Sequence, residues 1–209
     1  SEKYEVTTAD SGEAALKLAR KFTERMHIVS MRGGFHGRTL GSLAATDGSS
    51  YRSPFEPLLA DTSFVPFGDI EALERALKET PTAAVILEPI QSMAGIVSAD
   101  AEYYQRVARA CHRNGSLLIF DEIQTGVGRT GTFSISTQLG VQPDIVTLAK
   151  SLGSGIPVGA TLVSRQLADA AQYGDQGTTF GGGMIAMAAV RATLDTIVSE
   201  QLMPRAPQV

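Results

Sequence analysis

Hydrophobic and polar positions follow two alternating patterns along the chain. Short apolar runs predict β-strands at residues 27–31, 62–67, 82–90, 116–123, 143–150 and 158–164. Apolar residues at helical spacing predict helices at residues 11–26, from Asp69 onward and at 101–115, and residues 181–202 predict a glycine-rich turn followed by a long final helix. Strands separated by helices are typical of a mainly parallel sheet with helices on both faces. We therefore predict one α/β domain.

Residues at the ends of the predicted helices agree with this assignment. Asp10 or Ser11 is suited to cap the start of the first helix, because a short polar side chain accepts a bond from a free helical N–H group. Gly115 is suited to end the helix before it, because glycine adopts the left-handed conformation of a C-cap.

Composition and charge narrow the classes of function. The 209 residues carry a net charge of −4, which does not favour binding to nucleic acid or to an anionic membrane. The apolar runs fall far short of the roughly 20 residues of a membrane span. The first residues lack the basic and then apolar pattern of a signal peptide. We expect a cytoplasmic protein.

The sequence predicts neither a disulfide nor a metal centre. Cys111 is the only cysteine, so an internal disulfide and a thiolate cluster are excluded. We interpret it as a small core residue of the helix at 101–115, rather than as a reactive thiol. The three histidines are scattered along the chain and do not form a metal-binding motif.

Polar residues stand where three apolar strands end. In a parallel sheet, ligands bind beyond the carboxyl ends of the strands, so these side chains mark a candidate site. The three ends carry Glu88 with Gln91, then Asp121 with Glu122 and Gln124, and finally Lys150.

Lys150 and Asp121 suggest a specific chemistry. A lysine at a strand end is usually a surface residue, but here small residues follow an apolar strand, and a partly desolvated lysine can form a Schiff base. Asp121 could instead cap a helix or form an ion pair. A carboxylate at the end of a buried strand needs a cationic partner, and the protonated ring of pyridoxal phosphate (PLP) is one. A lysine paired with such an aspartate is the combination that PLP requires.

Five stretches resemble the class III aminotransferases of the ornithine and acetylornithine type. They occur in the order found in that family, and Lys150 follows Asp121 by 29 positions. The resemblance implies a PLP-dependent fold of type I and a homodimer whose active sites lie at the subunit interface. The stretches are "GGFHGRTLGSLAAT", "AAVILEPIQ", "LLIFDEIQTGVGRTG", "PDIVTLAKSLGSGIPVGA" and "GTTFGG".

The resemblance implies roles for residues around the cofactor. Lys150 resembles the Schiff-base lysine, which also serves as the base in proton transfer, and Asp121 resembles the partner of the ring nitrogen. Gln124 resembles the amide near the phenolic oxygen of the ring, and Phe35 resembles the aromatic residue stacked on the ring, although Phe35 could also be a core residue. We expect His36 to pack and hydrogen-bond near the ring.

Other residues resemble groups that contact the substrate or the phosphate. Arg38 resembles an arginine that grips a substrate carboxylate, although it could be a solvated residue at a helix start. Glu88 resembles an acid beside the substrate pocket, and Thr178 is expected near the substrate. Thr179 resembles the threonine that reaches the cofactor phosphate of the neighbouring subunit.

The segment that resembles the phosphate loop departs from the family pattern. The family reads like "NSGTEANEAALKLAR", whereas this chain reads "TTADSGEAALKLAR". One alignment places residues 7–10 at the phosphate. The other introduces a four-residue deletion and matches Ser11 and Gly12, which are our candidates for cofactor binding. Backbone N–H groups at the start of a helix can hold a phosphate in either alignment.

Two further departures concern the substrate pocket and the length of the chain. "EPIQSMAGI" replaces the more common "EPxQGEGG", which removes a carboxylate, and "FGGGMIAMAA" replaces "FGGNP". Family members also carry an N-terminal segment and a C-terminal small domain that we do not find here. We therefore interpret residues 1–209 as the PLP-binding large domain of a longer enzyme.

Three hypotheses about function follow from the sequence. The first is a transaminase that moves an amino group from an acetylornithine-, ornithine- or other ω-amine-type donor to a 2-oxo acid such as 2-oxoglutarate. The second is a decarboxylase, racemase or aminomutase, because Lys150 and Asp121 would serve these reactions equally. The third is an inactive truncated homologue, which the altered phosphate loop suggests.

Overall fold

The computed structural model describes residues 5–7, 11–59 and 61–208, and its centre is a β-sheet. Within these residues, the sheet has seven strands. They are β1 (Glu5–Thr7), β2 (His27–Met31), β3 (Thr62–Val65), β4 (Thr82–Leu87), β5 (Leu117–Asp121), β6 (Ile145–Leu148) and β7 (Ala160–Val163). The predicted strands from residue 27 onward are therefore confirmed, with shorter bounds.

Helices surround the sheet. They are α1 (Ser11–Thr23), α2 (Leu40–Ala45), α3 (Ser49–Arg52), α4 (Ile70–Glu79), α5 (Ala101–Arg113), α6 (Ser136–Leu139), α7 (Arg165–Ala170) and α8 (Met184–Ser199). Short 3₁₀ helices span Ser53–Phe55, Lys150–Gly153 and Met203–Gln208. The four long helices match the predicted segments, whereas the short ones were not predicted because four to six residues carry too little periodicity.

The strand order is β1-β7-β6-β5-β4-β2-β3, and most neighbouring strands are parallel. Strand β7 runs antiparallel to both β6 and β1. The predicted mainly parallel sheet is thus confirmed, with one reversed strand. Strands β4, β5 and β6 lie side by side, so their carboxyl ends meet at one edge of the sheet.

Each face of the sheet has its own apolar core. Successive side chains of a strand point to opposite faces, and in β5 Leu118 and Phe120 join the core beneath α4 and α5. Leu117 and Ile119 join the core beneath α1 and α7. Helices therefore cover both faces, as predicted.

The helix ends agree partly with the sequence analysis. Asp69 caps α4 by accepting a hydrogen bond from the N–H group of Ala72 at 2.8 Å. Asn114 is the C-cap residue of α5, and the predicted Gly115 follows it in the left-handed conformation. Helix α1 begins at Ser11, while Asp10, the other proposed cap, lies outside the described residues.

Cys111 is buried in the core beneath α5, with 1% of its surface exposed, which confirms the prediction of a core residue. Burial raises the pKa of its thiol. Across residues 5–7, 11–59 and 61–208, no helix combines the length and apolar character that crossing a membrane would require.

Asp144 gives the fold a testable dependence on pH. Its Oδ2 accepts a hydrogen bond from the N–H group of Leu118 at 2.8 Å, which ties the turn before β6 to β5. Burial raises the pKa of this carboxyl above 3.8, although the Leu118 N–H group and His112 act to lower it. The folded protein therefore binds a proton that the unfolded chain has released, and this contribution to stability is lost as the pH rises.

As the pH is raised above 3.8, the ordinary pKa of an aspartate, we expect the unfolding free energy of Asp144→Asn to fall less than that of the wild type, because asparagine still accepts the bond and does not ionise. Urea titrations at several pH values measure the difference, and Asp169→Asn, at an exposed aspartate, is the control. Equal pH dependence of the wild type and Asp144→Asn would contradict this account.

Candidate active site

Ionisable side chains gather at the carboxyl edge of the sheet. Glu88 directly follows β4, Asp121 is the last residue of β5, and Lys150 begins the 3₁₀ turn that follows β6. Because these three strands are neighbours, the sheet order brings together residues that are far apart in the chain. Ligand sites of open α/β sheets occur at this position.

The Asp121 carboxylate is buried and held by donors from three segments. Its Oδ1 accepts from the Thr147 hydroxyl at 3.0 Å and from the Ile123 N–H group at 3.2 Å. Its Oδ2 lies 2.8 Å from Nδ1 of His36. Only 3% of the residue is exposed. These bonds offset the cost of burying a carboxylate and fix its orientation.

His36 links Asp121 to the segment that also carries Phe35. An ionised carboxylate only accepts hydrogen bonds, so Nδ1 of His36 carries the hydrogen. Its other ring nitrogen, Nε2, is buried and has no hydrogen-bond partner among the described residues. A Cβ atom on Gly34 would lie 2.9 Å from the Met31 carbonyl oxygen and 3.0 Å from Nε2, so glycine is needed because of the backbone and also keeps the space beside the ring free. An unpartnered buried nitrogen is uncommon in a native structure.

Glu88 lies beneath the same segment, with 5% of its surface exposed. Its Oε2 accepts a hydrogen bond from the backbone N–H group of Phe35 at 2.8 Å. Burial raises the pKa of its carboxyl, and the nearby Asp121 adds to that effect, whereas His36, the Phe35 N–H group and Lys150 act to lower it. The sequence did not indicate this bond to the backbone.

Lys150 and Gln124 meet at the open side of the cluster. The Nζ of Lys150 donates a hydrogen bond to Oε1 of Gln124, and both residues are exposed. The Lys150 side chain is exposed rather than partly desolvated, although α8 packs on the rest of the turn that follows β6 and Leu152 of that turn is buried. Lys150 has a φ of 48°, an uncommon conformation for a residue other than glycine. Such strain is found most often at functional sites.

Phe35 and Arg38 both contact Tyr51, which sequence reasoning missed. The rings of Phe35 and Tyr51 meet edge to face, with centroids 5.7 Å apart. The guanidinium carbon of Arg38 lies 5.0 Å from the centroid of the Tyr51 ring, and Arg38 is otherwise exposed. An aromatic residue within α3 carries no motif that would have identified it.

The start of α1 lies against the backbone of His36. A Cβ atom on Gly12 would come within 2.7 Å of the His36 carbonyl oxygen, so only glycine allows this approach. Ser11 is the first residue of α1, and residues 8–10 of the proposed phosphate loop lie outside the described residues. Thr178 and Thr179 lie in the loop before α8, and both are exposed.

Two further carboxylates organise the loops around the site. Glu13 accepts hydrogen bonds from the Thr39 hydroxyl at 2.6 Å and from the N–H groups of Gly41 and Ser42, which joins α1 to the start of α2. The residue after Asp121 is different in role. Glu122 is buried and accepts from the Ile135 N–H group at 2.9 Å and from hydroxyls of the same loop, so it shapes the loop rather than facing the cluster.

Comparison with known families matches nearly the whole chain to one of them. The family model described as aminotransferase class-III matches residues 4–209. The acetylornithine aminotransferase of Methanopyrus kandleri is 47% identical over 193 residues, which cover 92% of this chain and 49% of that protein. The acetylornithine aminotransferase of Streptomyces coelicolor is 48% identical over 196 residues, which cover 93% of this chain and 48% of that protein.

Solved structures of transaminases share the fold. The ornithine aminotransferase of Toxoplasma gondii superposes with a TM-score of 0.91 at 31% identity, covering 98% of this chain and 52% of that one. A PLP-bound amine transaminase from an uncultivated Pseudomonas species superposes with a TM-score of 0.88 at 33% identity, and the match covers 98% of this chain and 55% of that one.

The chain thus spans about half the length of the curated relatives and solved structures that it matches. The family match extends over residues 4–209 and includes every residue of the cluster at the carboxyl edge of the sheet. This chain belongs to the aminotransferase class III family.

Proposed function

We propose that this chain is the cofactor-binding large domain of a PLP-dependent transaminase. The enzyme would move an amino group from an acetylornithine-, ornithine- or other ω-amine-type donor to a 2-oxo acid such as 2-oxoglutarate. The family match and the acetylornithine and ornithine aminotransferases among the relatives support this assignment. The observation that carries it is the convergence of Lys150, Gln124 and the Asp121–His36 pair at one edge of the sheet.

The described residues fit PLP at its ring and its aldehyde. PLP requires a lysine amine for its aldehyde and an anion beside its ring nitrogen. The Lys150 amine lies at the open side of the cluster, and the Asp121 carboxylate is already oriented by three donors. The unpartnered Nε2 of His36 leaves hydrogen-bonding capacity in the same place.

Each of these residues has a definite task in the proposed reaction. When bound, PLP supplies an electron sink that stabilises a carbanion on the substrate. Asp121 would stabilise a proton on the ring nitrogen, and His36 keeps the carboxylate in orientation by donating to its Oδ2. The Lys150 amine would hold the cofactor, and when the amine of the substrate replaces it there, its free Nζ would be placed to take a proton from the substrate carbon and to return it. Gln124 orients that amine through its Oε1.

Other residues would bind the remaining parts of the cofactor and the substrate. Phe35 would stack on the ring, while Ser11 and Gly12 at the start of α1 would hold the phosphate through backbone N–H groups. Arg38 is exposed and suited to grip a substrate carboxylate through its two parallel N–H groups. Thr178 would contact the substrate beside it.

We also propose that two copies of the chain form a dimer with shared active sites, in the cytoplasm. Thr179 would then reach the phosphate bound by the second copy. Large apolar side chains next to it support an interface there, since Phe180 is 87%, Met184 89% and Ile185 77% exposed. The free Cys111 suits a reducing compartment.

The assignment of Lys150 is tested by trapping the cofactor. We expect the wild type with PLP to absorb visible light, and borohydride reduction to fix the cofactor mass on the peptide that contains Lys150. Lys150→Ala should lose both signals, because its side chain has no amine, whereas Lys78→Ala, at an exposed lysine of α4, should keep them. Intact-mass spectrometry and peptide mapping measure the adduct. An adduct on a different lysine of the wild type would refute the assignment.

The proposed dimer is tested by sedimentation. We expect the wild type to sediment as two copies, and Phe180→Asp to shift it towards the monomer, because the new charge would be buried at the interface. Met26→Asp introduces the same charge on an exposed side chain just before β2 and should leave the dimer intact. A monomeric wild type that binds PLP tightly would argue against shared active sites.

A further inference from the structure

After the N–H group of Arg32, which donates to the Val65 carbonyl of β3 at 2.8 Å, the backbone up to residue 36 is held largely by buried or partly buried side chains. This turn, residues 32–36, carries Phe35 and His36, which the proposed function places at the cofactor. Three of its N–H groups donate to side-chain oxygens: Gly33 to Asp47 at 2.8 Å, Phe35 to Glu88 at 2.8 Å and His36 to Thr46 at 2.9 Å. The side-chain amide of Gln91 donates to the carbonyl oxygen of Arg32 at 3.0 Å.

Glu88 connects the turn to a different element from Thr46 and Asp47. Thr46 and Asp47 follow α2 and belong to the segment that leads away from the turn. Glu88 directly follows β4, a strand whose six residues are all buried in the centre of the sheet. The bond between Glu88 and Phe35 therefore ties the turn to a fully buried strand at the centre of the sheet.

We infer that Glu88 is a positioning residue, which holds Phe35 and His36 in place from the end of β4, and is not a group that binds the substrate. With 5% of its surface exposed, the carboxylate faces the turn rather than an open pocket. If Glu88 turned towards a substrate, it would leave the N–H group of Phe35 without its partner, which is unfavourable in a partly buried site. The inference rests on the proposed function only for its effect on PLP.

The position of His36 connects Glu88 to Asp121. Phe35 and His36 are consecutive, so a shift of the Phe35 N–H group moves the attachment of the imidazole. His36 then loses its 2.8 Å contact with Asp121, whose Oδ2 would lack a donor. A change at Glu88 should therefore be detected at His36, with or without a cofactor present.

Glu88→Ala and Glu88→Gln separate a positioning role from substrate binding. The side-chain amide oxygen of E88Q can still accept from Phe35 N, so we expect this variant to bind PLP within about threefold of the wild type and to keep its His36 imidazole ¹⁵N signals. E88A should bind PLP about tenfold or more weakly and shift those signals. Visible absorption measures the titration, and Glu102→Ala, at an exposed glutamate of α5, is the control.

The outcomes distinguish this inference from the proposed function. If E88A leaves PLP affinity and the His36 signals unchanged, Glu88 does not position the turn. If E88Q alters affinity for an amino donor while PLP affinity and His36 stay as in the wild type, Glu88 binds substrate. If the wild type binds no PLP, the proposed function fails, but the His36 signals of the cofactor-free variants still test the inference.

Hydrogen exchange of the wild type gives a test that does not depend on whether E88A folds. We expect the Phe35 amide to exchange slowly, because its hydrogen is donated to a buried carboxylate. An amide that exchanges as fast as an exposed loop would overturn the inference.

Discussion

The hydrogen bond between Asp121 and His36 is the interaction on which the site depends. A carboxylate at the tip of a buried strand is costly unless donors surround it, and the fold provides donors from three different segments. The parallel order of β4, β5 and β6 makes this possible, because it gathers their carboxyl ends at one edge. The tight packing of Gly12 and Gly34 against His36 then keeps the imidazole in reach.

Asp121 at the end of β5 and Glu122 directly after it have different roles. Asp121 faces the cluster, whereas Glu122 binds the backbone and hydroxyls of the loop that ends at Ser136. Glu122 is buried, and burial raises the pKa of its carboxyl while these bonds partly offset that effect. Of these two neighbouring acids, Asp121 therefore belongs to the candidate site, whereas Glu122 stabilises the neighbouring loop.

Local patterns predicted what depends on neighbours in sequence, and missed what depends on contacts across the fold. The long helices, the strands from residue 27 onward and the rim position of Asp121 and Lys150 follow from periodicity and from where apolar runs end. The bond between His36 and Asp121 joins residues 85 positions apart, and the bond between Glu88 and Phe35 N involves a backbone group, so no pattern reports them. The exposure of Lys150 depends on which elements cover it, which spacing does not reveal.

The central claim is that Asp121, oriented by His36, balances a charge on the cofactor ring. The most direct measurement is the ¹⁵N NMR signal of PLP labelled at its ring nitrogen and bound to the chain at neutral pH. The account predicts a protonated nitrogen in the wild type and a loss of that proton in Asp121→Asn, whose neutral amide cannot balance the charge. An unprotonated nitrogen in the wild type, or one that stays protonated in Asp121→Asn, would contradict it.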